Sequence, residues 1–295
     1  MRRALLIIVL IANCVFAREV AITIDDLPRG GDAHLTPEAD RQMTVKLLAP
    51  FGREHIPVTG FVIGCRHADE ISSLLSLWVR AGADLGNHTC SHLDLNNISA
   101  ADFESDILKG EPVITASLGH RPVYFRYPFL HAGKDAETKR AVSQFLVEHG
   151  YRNAPVTLDD SDYMFARVYA NALEANDLKK AKLVHDTYLA YMNSIFEFFE
   201  GRSIEVTGHE IRQILLIHAS QLNADCMPEL LALMRRRGYT FISLERALQD
   251  PAYSMPETYV GPGGFSWIHR WSKAKGMNAK SEPDEPEWIR KEAGY

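Results

Sequence analysis

Short runs of apolar and β-branched residues alternate with longer stretches of helical character from residue 20 to about residue 248. The apolar runs predict seven strands: Val20–Ile24, Val58–Ile63, Ala83–Leu85, Val123–Arg126, Arg152–Val156, Ile214–His218 and Tyr239–Ser243. Between them, Thr36-Pro37-Glu38 starts a helix with an N-cap threonine and proline at the first helical position. Further helices are predicted over Glu70–Ala81, from Ser99 (a capping-box residue) to about Leu118, over Glu137–His149 and over Pro228–Arg237. Strands that are apolar almost throughout, each followed by a helix, predict a parallel α/β architecture.

Two regions break the rhythm. Tyr163 to Gly208 carries no strand signal and reads as a helical insertion before the sixth strand. From residue 251 to 295 the chain is rich in Pro and Gly and carries Trp267, Trp271 and Trp288. This tail reads as a strap packed on the barrel, with stacking on sugar rings as the alternative use of its tryptophans.

Residues 1–17 read as a signal peptide: Arg2 and Arg3 precede an apolar run, and Val15-Phe16-Ala17 suits cleavage. The run falls short of the roughly 20 apolar residues a membrane span needs. Asn13 before Cys14 argues against a lipoprotein anchor, so the expectation is an exported protein with no stable membrane span. Losing Arg2 and Arg3 takes the net charge from −6 to −8. An acidic exported chain is a poor partner for nucleic acid. Composition (46% hydrophobic, 24% charged) is that of an ordinary globular domain. After cleavage Cys65, Cys90 and Cys226 remain. Their odd number requires a free thiol or an intermolecular bridge, and their pairing is not readable from sequence. Cys90, midway between two histidines, is expected to be a packing residue.

The candidate chemistry sits where strands end. Asp25-Asp26 close the first strand. Adjacent carboxylates repel one another unless one binds a cation and the other accepts a proton. His88 and His92 follow the third strand. In a strand their spacing would separate them by about 13 Å, at roughly 3.3 Å per residue. On a helical turn their Cβ atoms come within roughly 6 Å on one face, so the pair is expected on such a turn as two metal ligands, one carboxylate of Asp25-Asp26 being the candidate third. Arg126 ends the fourth strand, Asp159, Asp160 and Asp162 follow the fifth, and His218 ends the sixth. Parallel barrels gather their active-site residues at that face.

In this order the residues resemble the polysaccharide deacetylases with the NodB-homology domain. Asp25-Asp26 is similar to the first motif of that family, His88-Thr89-Cys90-Ser91-His92 to the second and Arg126-Tyr127-Pro128-Phe129 to the third. Asp162-Tyr163 matches the fourth, where the family prefers tryptophan after the aspartate, and Leu216-Ile217-His218 the fifth. The resemblance covers most of residues 20–248. It implies a distorted (β/α) barrel of seven or eight parallel strands, a NodB-homology domain over residues 18–250, and hydrolysis of acetyl groups on a polysaccharide. Two departures bear on the cleft: Leu27-Pro28 and Leu130 stand where the family has glycine, which predicts a narrowed or reshaped site.

The chemistry implied is amide or ester hydrolysis. Asp26, His88 and His92 would hold a divalent metal, zinc first, with cobalt, nickel and manganese as alternatives. Asp25 would be the general base, paired with Arg126. The Phe129 N–H would donate to the oxyanion, with Tyr127 and Leu216 lining the substrate site. His218 would protonate the leaving nitrogen, oriented by Asp162. Two alternatives stay open: a metallohydrolase acting on a phosphoester or a non-sugar amide, which would want basic residues around the cleft, and a non-catalytic carbohydrate-binding barrel, which would need neither Asp25 nor His218.

Overall fold

The computed structural model describes residues 18–30, 35–67 and 70–295. The expected leader lies outside the described residues. In chain order the elements are β1 (Arg18–Leu27), α1 (Pro37–Glu54), β2 (Val58–Val62), α2 (Ile71–Arg80), β3 (Asp84–Asn87), α3 (Ala100–Leu118), β4 (Tyr124–Phe125), α4 (Ala136–Glu148) and β5 (Arg152–Asn153). The helical insertion follows as α5 (Asp162–Glu174) and α6 (Leu178–Thr207), then β6 (Gln213–His218), α7 (Gln221–Arg236), β7 (Tyr239–Phe241) and α8 (Leu244–Ala247). The tail contributes α9 (Trp267–Ala274) and α10 (Glu287–Ala293).

All strand pairs are parallel, in the order β5-β4-β3-β2-β1-β6, with β7 pairing the first residues of β1. Beyond β5 the chain turns back onto β6, where Leu158 bridges Leu215 and curls the sheet towards closure. The result is a distorted (β/α) barrel. Strand β1 is its axis, buried from Val20 to Ile24 against β2 on one side and β6 on the other. Helices cover the sheet because their starts are capped: Thr36, Ser99 and Asp135 each accept a backbone N–H of α1, α3 and α4.

Two elements differ from expectation. Only Arg152 and Asn153 of the fifth run pair as a strand with β4, and the chain reaches β6 beyond the run, at Leu158. Helix α7 starts at Gln221 rather than Pro228, because the Ser220 hydroxyl accepts the Asn223 N–H and supplies an earlier cap. The insertion buries Phe165, Tyr188, Phe196 and Phe199 completely. In the tail Trp267 and Trp271 are buried in the main core and Trp288 packs against it, so the first two do not offer a face to sugars. Truncating either buried ring would cost about 3–5 kcal/mol.

Candidate metal centre and cleft

In a regular strand Asp25 and Asp26 would point to opposite faces. Here Ile24 pairs with Gly60 and Leu27 with Val62, so β1 carries one extra residue and bulges at the aspartates. Asp26 takes up the irregularity with φ 65°. Both carboxylates thereby reach one cleft. Leu27 falls on the core side, where it packs against Gly60, so this departure from the family pattern does not narrow the site.

The histidine pair is not on a helical turn. Beyond Asn87 the chain is irregular, with Thr89 at φ 66° and His92 at φ 58°. Side chains stand in for helical bonds: Asn87 Oδ1 accepts the Thr89 N–H at 2.8 Å, and Thr89 Oγ1 accepts that of His92 at 2.9 Å. Asp106 on α3 accepts the Ser91 N–H at 2.9 Å. The helix can come that close because Gly110 faces the loop; a Cβ there would lie 2.7 Å from the Thr89 carbonyl oxygen. Cys90 corrects a second expectation. It is buried, yet it forms a disulfide with Cys65, tying the histidine loop to the end of β2. Among the described residues Cys226 is the free, buried thiol.

These supports converge three ligand atoms. Asp26 Oδ1 lies 3.5 Å from His88 Nε2 and 3.3 Å from His92 Nε2. The chemistry of the set fits a cation. His88 Nδ1 is 2.8 Å from the Arg126 carbonyl oxygen, which can only accept, so Nδ1 carries the proton and Nε2 presents a lone pair. Burial is the main cause that pushes the His92 imidazole down to about 3, so that ring is neutral. Asp26 Oδ1 is buried and receives no hydrogen bond. Electron-rich atoms facing one another with no donor between them are the arrangement a divalent ion satisfies. Sequence reasoning missed Arg66, whose Nη1 is 3.4 Å from Asp26 Oδ2.

Asp25 is buried beside the cluster, its Oδ2 3.2 Å from Arg126 Nη1. The fully buried guanidinium also donates to the Ala154 carbonyl at 2.7 Å and to Thr23 Oγ1 at 3.0 Å, and lies over the Phe61 ring at 4.5 Å. On the opposite wall His218 pairs with Asp162, which is fully buried. Burial alone would lower the His218 imidazole; the charge and hydrogen bond of Asp162 outweigh it and hold the ring well above its ordinary value. The neighbours that competed with Asp162 in the sequence do otherwise. Burial pushes Asp159 up to about 7, and Asp160 is raised by burial and by Asp162 itself.

Asp25, Asp26, His88, His92, Tyr127, Phe129, Leu216 and His218 all line one cavity of about 820 Å³, with Arg126 and Asp162 directly behind it. Phe129 is half exposed and, like Leu130, adopts a left-handed conformation, at φ 56° and 55° respectively. Leu130, unlike Leu27, does reach the cavity wall.

Fold and site together define a parallel (β/α) barrel with a two-histidine, one-aspartate cluster at the carboxyl ends of its strands. Residues 12–154, just under half of the chain, match the family model described as polysaccharide deacetylase. A peptidoglycan-N-acetylglucosamine deacetylase of Bacillus cereus is 27% identical over 111 residues, 38% of this chain and 36% of that one. The chain thus spans only about a third of the length of that relative. A chitin deacetylase of Colletotrichum lindemuthianum is 25% identical over 244 residues, 81% of this chain and 83% of the relative. The solved structure of a polysaccharide deacetylase from Bacillus cereus superposes with a TM-score of 0.55 at 17% identity, covering 77% of this chain and 91% of that one; it speaks for the fold.

Proposed function

We propose that this chain is a metal-dependent hydrolase that removes acetyl groups from N-acetylated sugars of a glycan. The observation that carries the reading is Asp26 Oδ1, buried without a donor and facing Nε2 of His88 at 3.5 Å and Nε2 of His92 at 3.3 Å. Asp26, His88 and His92 would hold the metal, zinc suiting a set of two nitrogens and one carboxylate. Bound there, a divalent ion supplies Lewis-acid polarisation and a more acidic water. Asp25 takes the proton of the attacking water, held in position by Arg126. The backbone N–H of Phe129 donates to the oxyanion. His218, kept protonated by Asp162, gives its proton to the departing nitrogen. The family match and the named relatives support the substrate class.

A phosphoester substrate is disfavoured by the cavity wall. Beyond the site aspartates it carries Asp159, Glu282 and Glu285 against Arg66 and Arg167. Export follows as part of the proposal. The Cys65–Cys90 disulfide suits an oxidising compartment, and among the described residues no helix is long and apolar enough to cross a membrane. Acetate release from N-acetylated chitooligosaccharides and peptidoglycan fragments, with and without chelator, tests the reading. Acetate that appears only with metal supports it. Undiminished release after complete metal removal, or none from any acetylated glycan by the metal-loaded protein, would overturn it.

A further inference from the structure

The tail does more than pack on the barrel; it crosses the cleft. On one side Asn96 Nδ2 donates to the Pro262 carbonyl at 2.9 Å, and Lys139 Nζ to that of Tyr259 at 2.6 Å. The chain then passes the oxyanion loop so closely that a Cβ on Gly264 would sit 1.8 Å from the Phe129 carbonyl oxygen. Arg270, buried, donates to the Leu130 carbonyl at 2.5 Å. On the other side Arg167 of α5 donates to the Ala293 carbonyl at 2.9 Å and lies over the Tyr295 ring at 5.5 Å. That ring meets Tyr163 edge-on at 5.6 Å. Between the two anchorages Phe265, Glu282 and Glu285 face the cavity, as does Tyr295 at the far one.

A polymer deacetylated at an internal sugar needs room to leave the reacting residue in both directions. Here the tail bridges from the β4 loop to α5 along one side of the cavity, on backbone anchored at both ends. We infer, building on the deacetylase reading above, that the tail closes one side of the cleft and makes the protein end-binding: its substrate is the terminal sugar of an acetylated glycan or a short oligosaccharide, not the middle of a polymer. Affinity should then stop rising once the terminal sugars are seated, because added units project into solvent.

The test uses full-length protein and N-acetylchitooligosaccharides from monomer to hexamer, labelled at the reducing end. Fragment mass spectrometry of early products should show a terminal sugar deacetylated at least about tenfold faster than internal ones. Calorimetric titration of the Asp25→Asn variant should show affinity levelling off within the first units of chain length. Comparable rates at internal positions, or affinity climbing with every unit to the hexamer, would overturn the inference. The two readings separate: levelling affinity without acetate release refutes the deacetylase assignment and leaves end-binding standing. Internal acetate release does the reverse. The Arg167→Ala/Tyr295→Ala variant, which loosens the far anchorage, should shift the product ratio towards internal sugars.

Discussion

His218 hangs from Asp162 by two hydrogen bonds, one from its ring and one from its own backbone: Nδ1 is 2.6 Å from Oδ1 and the amide nitrogen 2.7 Å from Oδ2. The carboxylate is itself fixed by Asn223 Nδ2 at 2.5 Å, and Asn223 by the Tyr188 hydroxyl at 2.9 Å. Tyr188 comes from α6, so the helical insertion buttresses the site through this chain of contacts. The ring has one orientation, with Nε2 turned to the cavity.

Replacing Asp162 by Asn should therefore lower kcat by about 10²–10⁴-fold. It should also move the alkaline limb of the pH–rate profile to lower pH, since the raised His218 value depends on Asp162. Stability follows the same sign. The pairing contributes fully below the unfolded histidine value of about 6.5 and is lost as pH rises through the higher folded value. Denaturant melts of wild type and variant across pH should converge on the alkaline side, and parallel curves would contradict the pairing.

The adjacent aspartates should separate cleanly. Asp25→Asn should keep its metal after dialysis and lose about 10²–10⁴-fold in kcat, as expected for a general base. Asp26→Ala or His92→Ala should lose the metal itself. Elemental analysis reads the first difference. A thermal shift on adding chelator reads the second: a ligand at a hundred times its Kd stabilises by about 2.7 kcal/mol, so wild type and Asp25→Asn should drop in Tm while Asp26→Ala should not.

Much of this was legible in the sequence because strand ends of a parallel barrel must converge. Alternation of apolar runs with capped helices is enough to put Asp25, His88, Arg126, Asp162 and His218 on one rim. What stayed hidden depends on conformations that residue types do not announce. The bulge at Asp25–Asp26 and the left-handed Thr89 and His92 leave no periodic signal, so a helical turn was the natural expectation for the histidines. The partner of Cys90 lies across two elements. Arg66, Thr23, Asn223 and Tyr188 are ordinary residues until the fold brings them to the site.

Arg126 illustrates a buried charge held by its surroundings. Removing it as Arg126→Met leaves Asp25 buried with no guanidinium, which should cost about 3–5 kcal/mol. The double variant Asp25→Asn/Arg126→Met should recover part of that loss, because it no longer strands a carboxylate. Urea melts of the four proteins in a mutant cycle measure it; simple additivity would mean the pair is not coupled.

The last prediction concerns the staple on the histidine loop. Cys65 and Cys90 are 25 residues apart in sequence, and the bridge closes a loop whose loss should cost about 3 kcal/mol in the Cys65→Ser/Cys90→Ser variant. Stability alone would not make the link functional. Cys90 sits between His88 and His92 on a loop without helical bonds, so the variant should also bind metal more weakly than wild type when both are fully folded. Competition with a chromophoric chelator at low temperature measures this directly. Equal affinities would show that Asn87, Thr89 and Asp106 hold the ligand loop unaided, and that the bridge serves the fold but not the site.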